Sequence, residues 1–219
     1  MLKHKRYDQG YFQGLLHREV KRSQRNYQRL EQILPLNRGG RLLEIGFGAG
    51  GFMEAAARYY DVHGIDVSRW AVRHAPSRLR RRVRVLDIEE QTLARNRYDV
   101  IAAYNVLEHL KDPPQALAHI ACGLAPGGIL IGSVPNNGGM VGRIVTAIAN
   151  LFDRTHVSTP PPEQWRAWLE EAQLQDVRLF GEVTLGHNHA AYIKAPLWHQ
   201  ISFNLMFVCR APVGKGGTA

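Results

Sequence analysis

The chain has 219 residues, of which 45% are hydrophobic, and it carries a formal net charge of +9. This length predicts one ordinary domain with a full core, and the hydrophobic fraction excludes bulk disorder. No run of about 18 apolar residues occurs, so no membrane-spanning helix is predicted. The first residues, MLKHKRYDQG, are charged and untypical of a secretory signal, so we expect a cytoplasmic protein.

Basic residues are concentrated at 3–6, 18–29 and 78–84. Such fields attract nucleic acid, anionic membrane surfaces or acidic substrates, although a solvated surface is the plainer interpretation. Because no nucleic-acid motif accompanies the arginines, nucleic acid is disfavoured as a partner. The two cysteines, Cys122 and Cys209, match no metal or redox spacing and are expected to be reduced and buried.

Hydrophobic periodicity predicts helices alternating with strands along the chain. Residues 11–34 suit one or two amphipathic helices, and Ala125 to Gly128 read as a turn. Met140–Phe152 has one apolar face and is predicted as a lid helix. The predicted strands are 41–46, 61–66, 83–86, 98–104, 129–134, 177–183 and 204–209, and the further helices are 52–59, 70–80, 113–124 and 163–171.

This alternation indicates βαβ units and a parallel sheet with helices on both faces, an α/β fold. We expect an N-terminal helical segment at 1–36 and one α/β domain at 37–212. A small lid is expected at about 136–162 and a disordered tail at 213–219.

A glycine-rich loop follows the first predicted strand. Gly46, Gly48 and Gly51 satisfy the spacing G-x-G-x-x-G, which lets a ligand approach the backbone closely. Glu44 precedes the loop, and Asp66 ends the second strand, where an acid can accept hydrogen bonds from ribose hydroxyls. This geometry serves either a dinucleotide or S-adenosylmethionine.

A third acid, Asp87, follows the third predicted strand and is able to accept a hydrogen bond from an adenine amine. Taken in order, the motifs resemble those of class I S-adenosylmethionine-dependent methyltransferases: EIGFGAG at 44–50, GIDVS at 64–68, Asp87, NVLEHL at 105–110 and LAPGG at 124–128. The resemblance covers roughly residues 40–182. It is closest to the branch that contains the ubiquinone-biosynthesis O-methyltransferases and glycan- or lipid-modifying relatives.

This resemblance implies a Rossmann-like methyltransferase fold, with a seven-stranded, mostly parallel sheet whose last strand runs antiparallel. It also implies S-adenosyl-L-methionine as cofactor. The positions that would bind it are Glu44, Gly46, Gly48 and Gly50 at the methionine end, Asp66 and Val67 at the ribose, Asp87 and Ile88 at the adenine, and Asn105 near the amino-acid end.

Methyl transfer to a hydroxyl needs a base, and histidine titrates near neutrality. His109, after the fourth strand, and His156, in a D-x-x-H element, are the catalytic candidates, although a structural role stays open for each. No spacing demands a metal site. The acceptor is expected to be a small-molecule, glycan or lipid-linked compound, methylated at oxygen.

The apolar stripe of Met140–Phe152, with Trp198, Phe203 and the basic field, would suit an amphiphilic acceptor and peripheral contact with an anionic membrane. Two other functions stay open. An NAD-dependent oxidoreductase fits the glycine spacing, but no Tyr-x-x-x-Lys dyad accompanies it. A non-catalytic S-adenosylmethionine-binding protein would keep the same loop. The sequence does not predict an oligomeric state.

Overall fold

The structure is a computed structural model that describes residues 23–138, 158–185, 189–193, 202 and 204–213. The predicted lid helix 140–152 and the candidate base His156 lie outside the described residues, as do Trp198 and Phe203. No helix in the described ranges is long and apolar enough to cross a membrane.

The described part contains five α-helices and eight β-strands. It also has two short 3-10 turns, Arg80–Arg82 before the third strand and Leu107–His109 after the fourth. The helices are α1 (Ser23–Ile33), α2 (Gly51–Ala56), α3 (Arg69–His74), α4 (Pro113–Gly123) and α5 (Pro162–Glu171). The strands are β1 (Arg41–Ile45), β2 (Asp61–Asp66), β3 (Val83–Val85), β4 (Tyr98–Tyr104), β5 (Leu124–Pro135), β6 (Gln175–Leu185), β7 (His189–Ile193) and β8 (Asn204–Arg210).

All eight strands form one sheet in the order β3-β2-β1-β4-β5-β8-β6-β7. Neighbours among β1 to β5 are parallel, whereas β8 is antiparallel to both β5 and β6. The predicted Rossmann-like fold and its antiparallel last strand are confirmed. The strand β7 extends the predicted seven-stranded sheet by pairing with β6. Its five residues mix histidine with apolar side chains, so the sequence pattern did not predict it.

Both faces of the sheet are covered, which explains the continuous apolar runs of the parallel strands. Successive side chains of a strand point to opposite faces. Leu42 therefore packs with α1, α2 and α3 on one face, whereas Leu43 packs with α4 and α5 on the other.

Several predicted boundaries differ from the structure. The helix predicted at 70–80 ends at His74, because Pro76 follows and the residue before a proline avoids helical angles. The helix predicted at 52–59 ends at Ala56. The turn predicted at 125–128 lies inside β5 at a register shift opposite β4, with Gly127 at a φ of 72°.

Candidate active site

The glycine loop joins β1 to α2 at the carboxyl edge of the sheet. Gly46, Gly48 and Gly50 have φ values of 66°, 56° and 82°, a left-handed conformation that favours glycine. A Cβ atom on Gly46 would lie 2.6 Å from Cγ2 of Val106, and one on Gly50 would lie 2.8 Å from Cδ of Pro76. The backbone angles and the close neighbours therefore both require glycine here.

Asp66, at the end of β2, fastens this loop to the sheet. Its Oδ2 accepts a hydrogen bond from the Gly48 amide at 3.0 Å, and its Oδ1 accepts one from the Ser68 amide at 2.8 Å. Burial raises the pKa of the Asp66 carboxyl, while these two backbone hydrogen bonds act in the opposite direction. A carboxylate offers about four acceptor positions, so capacity remains for ribose hydroxyls.

The fold brings the other two predicted acids to the same edge. Glu44 lies on β1 in register with Gly64 of β2, and it is 6% exposed. Asp87 follows β3, and its Oδ1 accepts a hydrogen bond from the Glu89 amide at 3.0 Å, which closes a tight turn. Since β1, β2 and β3 are neighbours, the three acids stand in a row at one edge of the sheet.

The flanking positions Val67 and Ile88 differ in exposure. Val67 is half-buried in the bend after β2. Ile88 is 3% exposed and packs in the core on the α4 side of the sheet, with its carbonyl oxygen 2.8 Å from Nδ1 of His119. Little of the Ile88 side chain therefore remains for contact with a ligand.

Asn105 directly follows β4 and has the left-handed conformation, with a φ of 54°. Its amide donates to the carbonyl oxygen of Ser133 at 2.8 Å, and its Oδ1 accepts from the Ser133 hydroxyl at 3.4 Å. The side chain is exposed and held beside β5. The structure thus places Asn105 at the same carboxyl edge as the glycine loop.

His109 lies in the 3-10 turn that follows β4. Its Nε2 is 3.9 Å from Oε1 of Glu108, whose side chain is 1% exposed against 17% for His109. The same turn is joined to the glycine loop, because Val106 is the residue that a Cβ on Gly46 would meet. His109 is therefore one strand away from the predicted cofactor loop, at an edge where α/β proteins bind ligands.

The chain leaves this edge after β5 and returns to it before α5. The Asn137 side-chain amide donates to the carbonyl oxygen of Thr159 at 2.8 Å. The Ser158 amide donates to the carbonyl oxygen of Glu108 at 2.9 Å. The departing and returning segments are thus bonded to each other and to the turn that carries His109.

Sequence reasoning missed Glu89. Its Oε1 accepts hydrogen bonds from the amides of Lys111 and Asp112, at 2.6 and 2.9 Å. These bonds join the turn after β3, which carries Asp87, to the loop that follows His109. Its position two residues after Asp87 is the one sequence feature that pointed to a role for Glu89 near the site.

Sequence reasoning also missed a polar cluster beneath α1. Glu182 of β6 is fully buried, and its Oε1 accepts from Nε of Arg25 at 3.0 Å. The guanidinium of Arg29 lies 4.2 Å from the ring centre of Tyr104, which is the last residue of β4. The Tyr104 ring in turn contacts the ring of Phe52 in α2, with 5.1 Å between centroids.

The basic stretch at 78–84 is exposed. Arg78 pairs with Glu54 at 3.2 Å, and Arg82 pairs with Asp61. Arg81, Arg84 and Arg97 line a cavity of about 300 Å³ together with residues of β1, β2 and β4. These charges are thus partly compensated and lie apart from the glycine loop.

Neither cysteine forms a disulfide. Burial raises the pKa of the Cys209 thiol to about 12, and Cys122 is half-buried. Across the described ranges, no group of three histidine, cysteine, aspartate or glutamate side chains is placed to hold a metal ion.

Comparison with known proteins gives matches to methyltransferases. Ubiquinone biosynthesis O-methyltransferase of Coxiella burnetii is 33% identical over 113 residues, which is 49% of this chain and 48% of the relative. Phosphoethanolamine N-methyltransferase 1 of Triticum aestivum is 28% identical over 159 residues, which is 68% of this chain and 28% of that protein. The chain thus spans about half the length of the first of these relatives.

Among solved structures, a methyltransferase of Thermotoga maritima, described as a possible histamine N-methyltransferase, is similar with a TM-score of 0.72 and 18% identity, covering 94% of this chain and 97% of that one. At this identity the likeness shows the fold. A family model described as "Methyltransferase domain" matches residues 15–179, most of the chain. The chain therefore belongs to the methyltransferase domain family, with the fold of its class I S-adenosylmethionine-dependent members.

Proposed function

We propose that this chain transfers a methyl group from S-adenosylmethionine to an oxygen atom of a small-molecule, glycan or lipid-linked acceptor. One observation carries the proposal. The glycine loop, the row of acids Glu44, Asp66 and Asp87, and the imidazole of His109 lie at one edge of the sheet, on four neighbouring strands.

The residues present fit the cofactor. The glycine loop would present its backbone to a ligand, because Gly46, Gly48 and Gly50 carry no side chains and hold left-handed angles. Glu44 and Asn105 would bind the amino-acid end, Asp66 with Val67 the ribose, and Asp87 the adenine. S-adenosylmethionine supplies a methyl group on a sulfonium, so the protein's main task is to align the acceptor with it.

His109 is the proposed base for a hydroxyl acceptor. It must accept the proton that the acceptor oxygen loses, and it lies at the ligand-binding edge of β4. Oε1 of the buried Glu108 carboxyl lies 3.9 Å from its Nε2. His156 is a second candidate, and it lies outside the described residues. Oxygen as the target is supported by the name of the Coxiella burnetii relative.

Two measurements test this function. Calorimetry with S-adenosylhomocysteine measures cofactor-site binding, and labelled S-adenosylmethionine measures methyl transfer into a small-molecule cell extract. We expect His109→Asn to lower transfer by about 10²- to 10⁴-fold without loss of S-adenosylhomocysteine affinity. His74→Asn, on the exposed end of α3, is the matched control and should leave both unchanged.

Each opposite result has a definite meaning. If His109→Asn transfers methyl groups at the wild-type rate, His109 is not the base. Tight S-adenosylhomocysteine binding with no labelled product from the wild-type chain would identify a non-catalytic binding protein. An NMR spectrum of the isotope-labelled product distinguishes a methyl group on oxygen from one on nitrogen, and a nitrogen product would refute the oxygen assignment.

A lipid-linked acceptor would bring the chain to an anionic surface. The exposed arginines at 80–82 and Arg84 support such contact, because basic side chains near an anionic bilayer are attracted to it. Co-sedimentation with phosphatidylserine vesicles at low salt tests this part separately. Absence of binding there would leave a water-soluble acceptor as the proposal.

A further inference from the structure

The cavity of about 300 Å³ described above lies beside β2 and the first residues of β3 and β4. Parallel strands need a crossover connection, and this connection is usually a helix. The crossover from β3 to β4, residues 86–97, contains turns but no helix. Its apolar side chains, Leu86, Ile88 and Leu93, pack into the core on the α4 face of the sheet. Because this crossover supplies no helix, space remains open beside the strands that it connects.

Positively charged side chains dominate the lining of this cavity. Arg81 and Arg82 precede β3, Arg84 lies on it, and Arg97 directly precedes β4. Arg84 is in register with Ile65 of β2, which packs in the core with α4, so Arg84 points to that same face. No aspartate or glutamate is among the residues that line the cavity.

One of these four arginines is compensated by a neighbour. Arg82 pairs with Asp61, whose side chain stands outside the cavity lining. Across the ranges that the structure describes, Arg81, Arg84 and Arg97 form no ion pair with a carboxylate. Three positive charges are therefore left around one cavity, and such a concentration of one sign of charge attracts anions.

His63 of β2 lies in the wall of the cavity, between arginines of two different segments. Burial lowers the pKa of the His63 imidazole. The positive charges of Arg97, Arg41 and Arg84 lower this pKa further. They do so although Nε2 of His63 lies 3.3 Å from Oδ2 of Asp61. The arginines before β4 and on β3 thus converge on the same imidazole.

We propose that this cavity binds a phosphate group, held by the guanidinium groups of Arg81, Arg84 and Arg97. A guanidinium donates two parallel hydrogen bonds that match the oxygen atoms of a phosphate. A phosphate dianion would offset two of the three charges that the described carboxylates leave uncompensated. A volume of about 300 Å³ is enough for such a group.

This site is separate from the predicted cofactor site. Its arginines precede or begin strands, whereas the glycine loop follows the end of β1. His63 lies three residues before Asp66, which corresponds to about 10 Å along β2. The inference therefore goes beyond the proposed methyl transfer and does not depend on it. The phosphate has two sources, a soluble phosphate ester or a lipid headgroup, and the experiment separates them.

Calorimetric titration of the full chain with inorganic phosphate tests the site, at constant ionic strength and with S-adenosylhomocysteine saturating. Arg84→Met and Arg97→Met each remove one lining guanidinium from an exposed position, so both variants should fold. Arg73→Met is the matched control, because it removes an exposed arginine from α3, on the opposite face of the sheet. We expect phosphate affinity to fall about tenfold or more in the two cavity variants and by less than about threefold in the control.

Two results of this titration would overturn the proposal. One is the absence of saturable phosphate binding by the wild type. The other is an equal loss of phosphate affinity in Arg73→Met and the cavity variants, which would indicate a general effect of net charge. If the chain binds no S-adenosylhomocysteine, the proposed function fails, while the phosphate titration still decides whether the cavity binds an anion.

NMR titration of the histidines locates the bound phosphate. A phosphate dianion beside His63 should raise the pKa of its imidazole, since an opposite charge favours the protonated form. His74, on the exposed end of α3, is the control, and its pKa should not change. Saturable phosphate binding that leaves the pKa of His63 unchanged would place the anion elsewhere and refute the assignment.

Glycerol phosphate and phosphatidylcholine vesicles containing phosphatidic acid distinguish the two sources. Binding of glycerol phosphate that Arg84→Met weakens, without co-sedimentation with the vesicles, would identify a soluble ester. Co-sedimentation that Arg84→Met and Arg97→Met weaken, and that Arg73→Met does not, would identify a lipid headgroup. Binding of neither probe would contradict the proposed phosphate site.

Discussion

Substitution of Gly46 by alanine tests whether the glycine loop is shaped by a close neighbour or by backbone angle alone. The new Cβ would lie 2.6 Å from Cγ2 of Val106, at a φ of 66°. Gly39 offers a matched control, because it also has a positive φ, 96°, but no atom within 4 Å of its ideal Cβ. Gly39→Ala therefore isolates the backbone contribution.

The left-handed conformation costs a non-glycine residue about 1 to 2 kcal/mol. Forcing a methyl group into filled space adds about 1 to 3 kcal/mol. We therefore expect Gly39→Ala to lower the free energy of unfolding by about 1 to 2 kcal/mol, and Gly46→Ala by about 2 to 5 kcal/mol. Urea unfolding of both variants measures the difference.

A double-mutant cycle with Val106→Ala sharpens the test. Removal of the two Cγ atoms of Val106 clears the space that the new methyl needs, so the double variant should recover about 1 to 3 kcal/mol relative to additivity. Affinity for S-adenosylhomocysteine should fall in Gly46→Ala and partly return in the double variant. Equal destabilisation by Gly39→Ala and Gly46→Ala, with no coupling to Val106, would refute this reasoning.

Four further results are expected. Asp66→Asn should weaken S-adenosylhomocysteine binding at least tenfold, because hydrogen bonds to a charged group contribute about 1.5 to 3 kcal/mol each. Asp99→Asn, at the opposite end of the sheet, is the control. Equal affinities of the two variants would contradict the role of Asp66. Since burial raises the pKa of Asp66 in the folded chain, its contribution to stability is fully present below about pH 4 and is lost as the pH rises through the folded pKa. The stability of wild type minus that of Asp66→Asn, from urea unfolding, should therefore fall as the pH rises above about 4, and a rise would refute the pKa direction. Glu182→Gln should destabilise the fold by about 3 to 5 kcal/mol because it leaves Arg25 and Arg29 buried without a carboxylate. The control Glu170→Gln breaks an exposed pair with Arg166 and should cost less than about 1 kcal/mol. Similar shifts of the thermal unfolding midpoint in the two variants would contradict this prediction. Burial raises the pKa of the Cys209 thiol to about 12, so Cys209 should resist iodoacetamide at pH 8 in the native state while the half-buried Cys122 reacts. Peptide mass spectrometry measures the labelling of each cysteine, and equal labelling would contradict the burial of Cys209.

The sequence predicted β1 and β4 well because these strands are buried on both faces of the sheet. Leu42 and Leu43 sit in adjacent positions yet pack in separate layers, so the strand reads as a continuous apolar run. The glycine loop was predictable for a similar reason. Positive φ angles and the crowding by Val106 leave no other residue type at Gly46, so the constraint is visible in one sequence.

The glycine spacing left an NAD-dependent oxidoreductase open, and the family match settles this in favour of a methyltransferase. The partners of the acids were harder to predict. Asp66 was expected to face a ligand, but it also accepts two hydrogen bonds from backbone amides. Backbone amides are present at every residue, so their partners leave no trace in residue type.

Long-range polar pairs were missed entirely. Arg25 and Glu182 are 157 positions apart, and neither stands in a motif. Arg29 belongs to a basic stretch that was interpreted as a solvated surface, yet its side chain is buried beneath α1. A charged residue is exposed in most proteins, so the sequence predicts exposure for each arginine. That prediction is wrong for Arg29, because its helix covers the carboxyl edge of the sheet.

The bonds from Asn137 to Thr159 and from Ser158 to Glu108 fasten two distant parts of the chain at one point. These bonds hold the two described ends, at residues 137–138 and 158–159, close to each other. Closing a longer detour costs little, since the entropy grows only with the logarithm of its length. A change in the number of residues between these two ends is therefore expected to alter the free energy of unfolding little.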